Sequence, residues 1–211
     1  MYVPVHFAMS ADQIADVLAS APAGDLVTDG PDGLTATYVP MLWDPESGSL
    51  IGHLSRVNAQ WRDAGEALFI VHGPDDYIAA DWLSTPAADS VPTWNYVTVH
   101  VYGTLVAHDD PDWTLAAVRR LSRAHSDPAI DDLPADEVAK LLRAVVGVEL
   151  RDLRMVGKAK MSQNKSPQVV GQVIDGLRDA GGVDTAAWMA EHSLPRAEAK
   201  AALLAAIRER G

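Results

Sequence analysis

The sequence predicts a mainly-β fold of the α+β class, an antiparallel barrel with flanking helices and a helical C-terminal tail. Three observations carry this reading. Short segments rich in β-branched and aromatic residues follow one another from Asp25 to Ala107. Turns built from Gly, Pro and Asp separate them. From Asp109 onward the apolar period lengthens to that of a helix. Short strands at such spacing indicate an antiparallel sheet or barrel.

The elements follow in order. Ser10 with Gln13 makes a capping box for a helix over Ala11–Ser20, whose apolar stripe is Ile14, Val17 and Leu18. Strands are predicted at Asp25–Asp29, Leu34–Met41, Ser49–Leu54, Glu66–Val71 and Tyr77–Asp81. The turns between them are Gly30-Pro31-Asp32-Gly33, Asp44-Pro45-Glu46-Ser47-Gly48 and Gly73-Pro74-Asp75-Asp76. Asn95–Ala107 is longer and alternates, with Val97, Val99, Val101 and Gly103 on one face. Pro111 takes the first turn of a helix carrying Leu115, Val118 and Leu121. Pro134 opens another through Val145, with Val138, Leu141 and Leu142. A returning strand, Val148–Met161, changes phase midway, and a bulge near Asp152 reconciles its halves. Helices resume at Ser166-Pro167 and restart near Leu194-Pro195. The organisation expected is a barrel over residues 1–165 with a helical insertion at about 110–146, then a tail over 166–211 packed on the barrel or a dimer partner.

Composition narrows the function. The chain is 48% apolar, enough for a sizeable core, and it has no cysteine. A disulfide framework, thiolate metal sites and a cysteine nucleophile are thereby excluded. Met1–Ser10 lacks the basic and apolar regions of a signal peptide, and no apolar run is long enough to span a bilayer. A cytoplasmic protein without membrane association is expected. The 17 basic and 29 acidic residues leave a net charge of −12, which argues against direct DNA binding. In the tail, Arg178, Arg196, Lys200, Arg208 and Arg210 are interleaved with acids such as Asp175, Asp179, Glu198 and Glu209. The seven histidines show no ligand spacing with a carboxylate, so no metal is expected. No Walker or dinucleotide glycine loop occurs, and no catalytic acid or base is singled out.

The charge is unevenly placed. Between Met1 and Asp110 there are fifteen acids but only two basic residues, Arg56 and Arg62. Between Arg151 and Lys165 the balance reverses, with Arg154, Lys158 and Lys160 among the cations and Asp152 the lone acid. Three segments concentrate chemistry. Gly52–Trp61 ends a strand with His53, Ser55, Arg56 and Asn58, a suitable phosphate seat in preference to a capped helix whose arginine is merely exposed. Val91–Tyr96 sets Trp94 beside Asn95, suited to stacking on a planar ring and reading its edge, or to plugging a barrel end. Gly157–Ser166 brings Lys160, Ser162, Gln163 and Asn164 out of a strand, either a phosphate and ring-edge site or a polar loop.

Together with Met1-Tyr2-Val3-Pro4-Val5-His6-Phe7, the stretches Gly52–Trp61, Val91–Tyr96 and Lys158–Asn164 resemble, in order, the PaiB family of FMN-binding negative transcriptional regulators. The resemblance implies an FMN-binding split barrel related to pyridoxamine 5'-phosphate oxidases, working as a homodimer with the flavin between subunits. It implies that Ser55, Arg56 and Asn58 hold phosphate and ribityl, and that Tyr38, His53 and Leu54 line the flavin. Lys160, Ser162, Gln163 and Asn164 would close the site. Tyr77–Leu83 departs from the family, which often has a more aromatic, proline-containing segment there. The function expected is an FMN-dependent oxidoreductase using a small-molecule reductant or substrate. The alternative is a regulator acting through DNA or a protein partner, and a flavin carrier without catalysis is a third reading.

Overall fold

Six strands form where the alternating pattern is strongest: β1 (Ala23–Gly30), β2 (Gly33–Asp44), β3 (Ser49–Ser55), β4 (Gly65–Ile78), β5 (Thr93–His108) and β6 (Val145–Lys160). They come from a computed structural model that describes residues 1–21, 23–83, 91–126 and 129–209. Arg210, one of the tail cations named above, lies outside the described residues. The strands pair in the order β1-β2-β3-β6-β5-β4 and close in a ring. The antiparallel β-ring with flanking helices and a helical tail is the fold class that the sequence predicts.

Register follows the turns. Gly30 pairs with Gly33 across Pro31-Asp32, and Asp44 pairs with Ser49. Asp44 shapes its own hairpin by accepting from the Glu46 backbone N–H at 3.0 Å and the Ser47 hydroxyl at 2.7 Å. Gly48 completes that turn at φ +66°, a conformation glycine adopts without steric cost. The third predicted turn is not one. β4 runs unbroken through Gly73-Pro74-Asp75-Asp76, and Tyr77–Asp81 is not a separate strand but leads into a 3-10 turn at Ala80–Trp82. The reason lies at Gly73, where a Cβ would come within 2.9 Å of the Val97 Cβ. The glycine serves a close backbone approach within the sheet.

The helices are α1 (Ala11–Ser20), α2 (Pro111–Ala124), α3 (Ala135–Leu142), α4 (Pro167–Ala180), α5 (Val183–Trp188) and α6 (Leu194–Arg208). α2 buries Thr114, Ala117 and Leu121, so its inner stripe is one residue from the predicted one for the first two positions. The small side chains suit a close approach: Trp113 lies against Gly147 so tightly that a Cβ there would clash with its ring. α3 stops at Leu142, short of Val145, because the β-branched pair Val145-Val146 joins β6 opposite Ser55 and Leu54. Asp152 sits in the left-handed region at φ +54°, where the sequence requires the phase of β6 to change.

The chain divides into two compact units, Ala11–His72 with Val99–Val156, and Met1–Ser10 with Gly73–Thr98 and Gly157–Gly211. In the first, Leu26, Met41, Leu50, Phe69, Val101 and Leu150 form the core, all at most 1% exposed. A charged network anchors α2 there. Arg120 grips Asp44 in a two-pronged pair at 2.9 and 2.6 Å and holds its carboxyl well below the usual carboxylate range. Glu149 accepts from Ser49 at 2.8 Å, pairs with Arg151 at 2.6 Å and meets His108 Nε2 at 2.8 Å. Burial alone would raise the Glu149 carboxyl, but those three partners outweigh it and hold it low. The His108 ring stacks on Trp113 at 3.8 Å.

In the second unit, Ser166 caps α4 by accepting from the Val169 N–H, and Val170, Val173, Ile174 and Leu177 are its buried stripe. Gly181, left-handed at φ +89°, ends it. Trp82 lies directly against Gly176 of α4, where any side chain would strike the indole. α5 continues through a π turn, Met189–Ser193, into α6. Among the described residues no helix is long and apolar enough to cross a membrane.

Candidate functional site

Chemistry-bearing residues gather in one cluster in each unit. The first lies where β5 begins and β6 ends. Lys160 donates to the Thr93 hydroxyl and to the Trp94 carbonyl, which fixes its ammonium beside the start of β5. Burial pushes the Lys160 ammonium below the ordinary lysine value, and the charge of Lys158 adds to the effect. Lys158 in turn sits 5.3 Å over the Tyr96 ring.

Amides build the loop that follows. Asn95, 1% exposed, donates to the Ser162 hydroxyl at 3.1 Å and meets the Met189 sulfur at 3.4 Å. Gln163 accepts from the Met161 N–H at 2.8 Å and donates to the Ala159 carbonyl. Both side chains therefore read their own chain and shape the loop. Ser162 is left-handed at φ +58°, a conformation that costs a non-glycine residue energy and recurs at ligand sites. The result is a cavity of about 290 Å³ lined by Phe7, Asn95, Lys160, Ser162, Asn164 and Lys165 among others, and among the described residues none that lines it is acidic. Trp94 is half exposed, its indole N–H donating to Asp75 at 2.8 Å and its ring 6.1 Å from Tyr77.

The second cluster surrounds the end of β3. Arg56 donates from Nε to the Arg143 carbonyl at 3.1 Å and from one Nη to Asp109 at 2.7 Å and the Val145 carbonyl at 3.1 Å. One edge of the guanidinium is thus committed to its own chain. Asn58 caps the 3-10 turn Ala59–Arg62 by accepting from the Gln60 N–H at 3.0 Å, and it donates to the Thr37 hydroxyl at 2.9 Å. Ser55 is exposed and Tyr38 largely so, while Leu54, 3% exposed, gives its side chain to the core. Among the described residues the buried Nδ1 of His53 has no partner, and burial lowers its pKa, which favours the neutral ring.

The structure brings Trp94, Asn95, Lys160, Ser162, Gln163 and Asn164 into one unit, and His53, Leu54, Ser55, Arg56, Asn58 and Tyr38 into the other. Sequence reasoning did not single out Thr93, Lys165 or Phe7 at the lysine cavity, nor Asp109 as the countercharge of Arg56. Phe7 lies in the Met1–Phe7 stretch that carried the family resemblance, and that stretch was the available signal.

The profile of the family described as "Putative FMN-binding domain" matches residues 1–151. The chain belongs to this FMN-binding family. FMN is its cofactor. Among curated relatives, the protease synthase and sporulation protein PAI 2 of Bacillus subtilis is 27% identical over 189 residues, which covers 85% of this chain and 90% of that protein. The fold is shared with the flavocytochrome Anf3 of Azotobacter vinelandii, at a TM-score of 0.60 and 15% identity over 75% of this chain and 72% of that one. It is shared also with a FAD and haem binding protein of Mycobacterium smegmatis, at a TM-score of 0.52 and 18% identity over 72% and 71%. The residues present fit the cofactor. An FMN-binding chain needs a seat for a dianionic phosphate, and the cavity with Lys160 and Lys165 offers cations, a hydroxyl and an amide, with no acid among its described lining residues. A bound anion would also relieve the electrostatic cost that depresses the Lys160 pKa.

Proposed function

We propose that this chain is an FMN-dependent oxidoreductase for a small substrate, and that the cavity at Lys160 seats the phosphate of the flavin. The observation that carries the reading is a cationic cavity, with no acid among its described lining residues, in a chain of net charge −12 whose family binds FMN. Lys160 and Lys165 supply charge to the phosphate, while Ser162 and Asn164 supply hydrogen bonds. Asn95 and Gln163 act by holding the loop that presents them. Trp94 offers an exposed ring face for stacking. In the other unit, Ser55, Arg56, Asn58, Tyr38 and His53 are the flavin contacts we propose, with Leu54 taking part through its backbone alone. Burial favours the neutral form of His53, whose Nδ1, unpartnered among the described residues, can bond a polar ring edge without adding charge.

Bound FMN supplies the electron transfer itself; the protein sets orientation and electrostatics. The flavin-linked names of two fold neighbours, a flavocytochrome and a FAD and haem binding protein, support redox chemistry here too. We place the protein in the cytoplasm as a homodimer, for which the exposed Leu203, Leu204 and Ile207 of α6 offer an apolar face. Direct DNA binding is disfavoured by the interleaved charges of α4 to α6.

The test compares the affinities of FMN, FAD and riboflavin by quenching of flavin fluorescence. FMN should bind at least tenfold tighter than riboflavin, since charge-assisted hydrogen bonds to phosphate contribute roughly 1.5–3 kcal/mol. Equal affinities would remove the phosphate seat. Reduced nicotinamide should then bleach the bound flavin. A flavin that no reductant bleaches, on a protein that shifts its own upstream DNA in a gel, would favour the regulator.

A further inference from the structure

We propose that a second cavity, between α2 and α3, binds a small zwitterion with an apolar side chain, a free amino acid of the leucine or phenylalanine type. The cavity holds about 570 Å³ and lies wholly within the unit formed by Ala11–His72 and Val99–Val156. Small-molecule sites are commonly apolar hollows of roughly 300–1,000 Å³ with a few convergent polar groups. This one matches on both counts. Leu115 of α2 and Leu133, Val138 and Leu142 give the cavity an apolar lining. Leu133 stays 37% exposed, although packing against a neighbour would remove that area from water.

The rim decides the class of ligand. Of its charged groups, Arg56 is bound to Asp109 at 2.7 Å and Arg119 to Asp131 at 2.7 Å. Two remain. Arg143 and Asp112 both line the cavity, and among the described residues the side chain of neither has a partner. The first turn of α2 favours an acid at Asp112 through the helix dipole, but that does nothing for Arg143. A ligand carrying only a carboxylate would meet Asp112, and one carrying only an ammonium would meet Arg143. A molecule with both, and an apolar tail for the lining, answers every group. Its carboxylate would take the planar fork of Arg143 and its ammonium the carboxylate of Asp112.

The experiment uses the FMN-loaded protein and calorimetric titration. The probes are L-leucine, L-phenylalanine and L-tryptophan, set against 3-phenylpropionate and phenethylamine, which keep one charge each. At least one amino acid should bind, at least tenfold tighter than either single-charge analogue. Arg143→Ala and Asp112→Asn should each weaken it roughly ten- to a hundredfold, as expected for loss of a charge-assisted bond. Ala139→Trp fills the cavity from an exposed position on α3 and should abolish binding, with the fold checked by circular dichroism. FMN affinity should be unchanged in Arg143→Ala and Asp112→Asn. The proposal is overturned if no amino acid binds at millimolar concentration, or if the single-charge analogues bind equally well. Binding that survives Ala139→Trp, or FMN affinity that falls in parallel in Arg143→Ala and Asp112→Asn, overturns it as well.

Discussion

Two charged clusters in this molecule look alike in composition and differ in how their charge is balanced. The network of Asp44, Arg120, Glu149, Arg151 and His108 contains opposite charges that meet at 2.6–2.9 Å, each answered within the chain. The cavity at Lys160 gathers Lys160 and Lys165 with no acid among its described lining residues. The shifts agree with the contrast. Asp44 and Glu149 are held low by their partners, which is stabilisation of the charged form. Lys160 is lowered by burial and by a neighbouring cation, which is stabilisation of the uncharged form. A cluster whose charges are answered internally serves the fold. One left unanswered is waiting for a counterion from outside, and here the family supplies it as the phosphate of FMN.

The largest expected effect tests that division directly. Lys160→Ala should weaken FMN about a hundredfold while leaving riboflavin within about threefold, because only the phosphate contact is removed. Fluorescence titration of both flavins reads this, and thermal unfolding of the flavin-free protein should barely change. A variant that lost both flavins equally would place Lys160 in the fold and erase the contrast.

Next in size is the internal cluster. Asp44→Asn removes a buried charge that Arg120 grips, and Arg120 is itself 39% exposed. Breaking a fully buried pair costs about 3–5 kcal/mol and an exposed one about 0–1, so about 2 kcal/mol is expected after screening by solvent. In a chain of this size that is a fall in Tm of roughly 4–8 °C, with FMN affinity unchanged. The pH dependence has a definite sign. The folded pKa of Asp44 lies below its ordinary value of 3.8, so its contribution is fully present above that value and is lost as acid titrates the carboxylate below it. The wild-type protein should lose stability on acidification below about pH 4 more steeply than Asp44→Asn, by denaturant midpoints at several pH values. Parallel curves would show that Asp44 is not coupled to folding.

The two clusters also differ in how legible they are in the sequence. Strand alternation at Val97, Val99 and Val101 and the proline-started helices at Pro111 and Pro167 are local signals, and the elements formed where those signals lie. Gly73-Pro74 misleads because the same residues serve a turn and a close backbone approach, and only the presence of Val97 distinguishes them. The cations at Arg56 and Lys160 stand out against the acidic background of the chain. Their partners do not: Asp109 is 53 residues from Arg56, and Thr93 is 67 from Lys160. No periodicity spans such distances. The Arg120–Asp44 clamp, 76 residues apart, is hidden for the same reason.

The smallest effect concerns Arg56, which stands between the two clusters in character. Its Nε and one Nη are bound to Asp109 and to the carbonyls of Arg143 and Val145, as in the internal network. Its other Nη makes no hydrogen bond among the described residues and is open to a ligand, as in the lysine cavity. Arg62 is the control, since its guanidinium lies 4.8 Å over the Trp61 ring and it is the other cation of the acidic half. Arg56→Ala should weaken FMN by about three- to tenfold and Arg62→Ala by less than twofold, because one free edge makes fewer charge-assisted bonds than an ammonium in the lysine cavity. Arg56→Ala should also lower Tm slightly, since the Arg143 and Val145 carbonyls lose their donor; Arg56→Lys, which keeps the charge but cannot span three acceptors, should restore FMN affinity more than Tm. Equal losses of FMN affinity from Arg56→Ala and Arg62→Ala would mean that the net field acts on the flavin and that Arg56 belongs wholly with the internal network. A hundredfold loss would move it to the side of Lys160, as a second cation whose main partner comes from outside the chain.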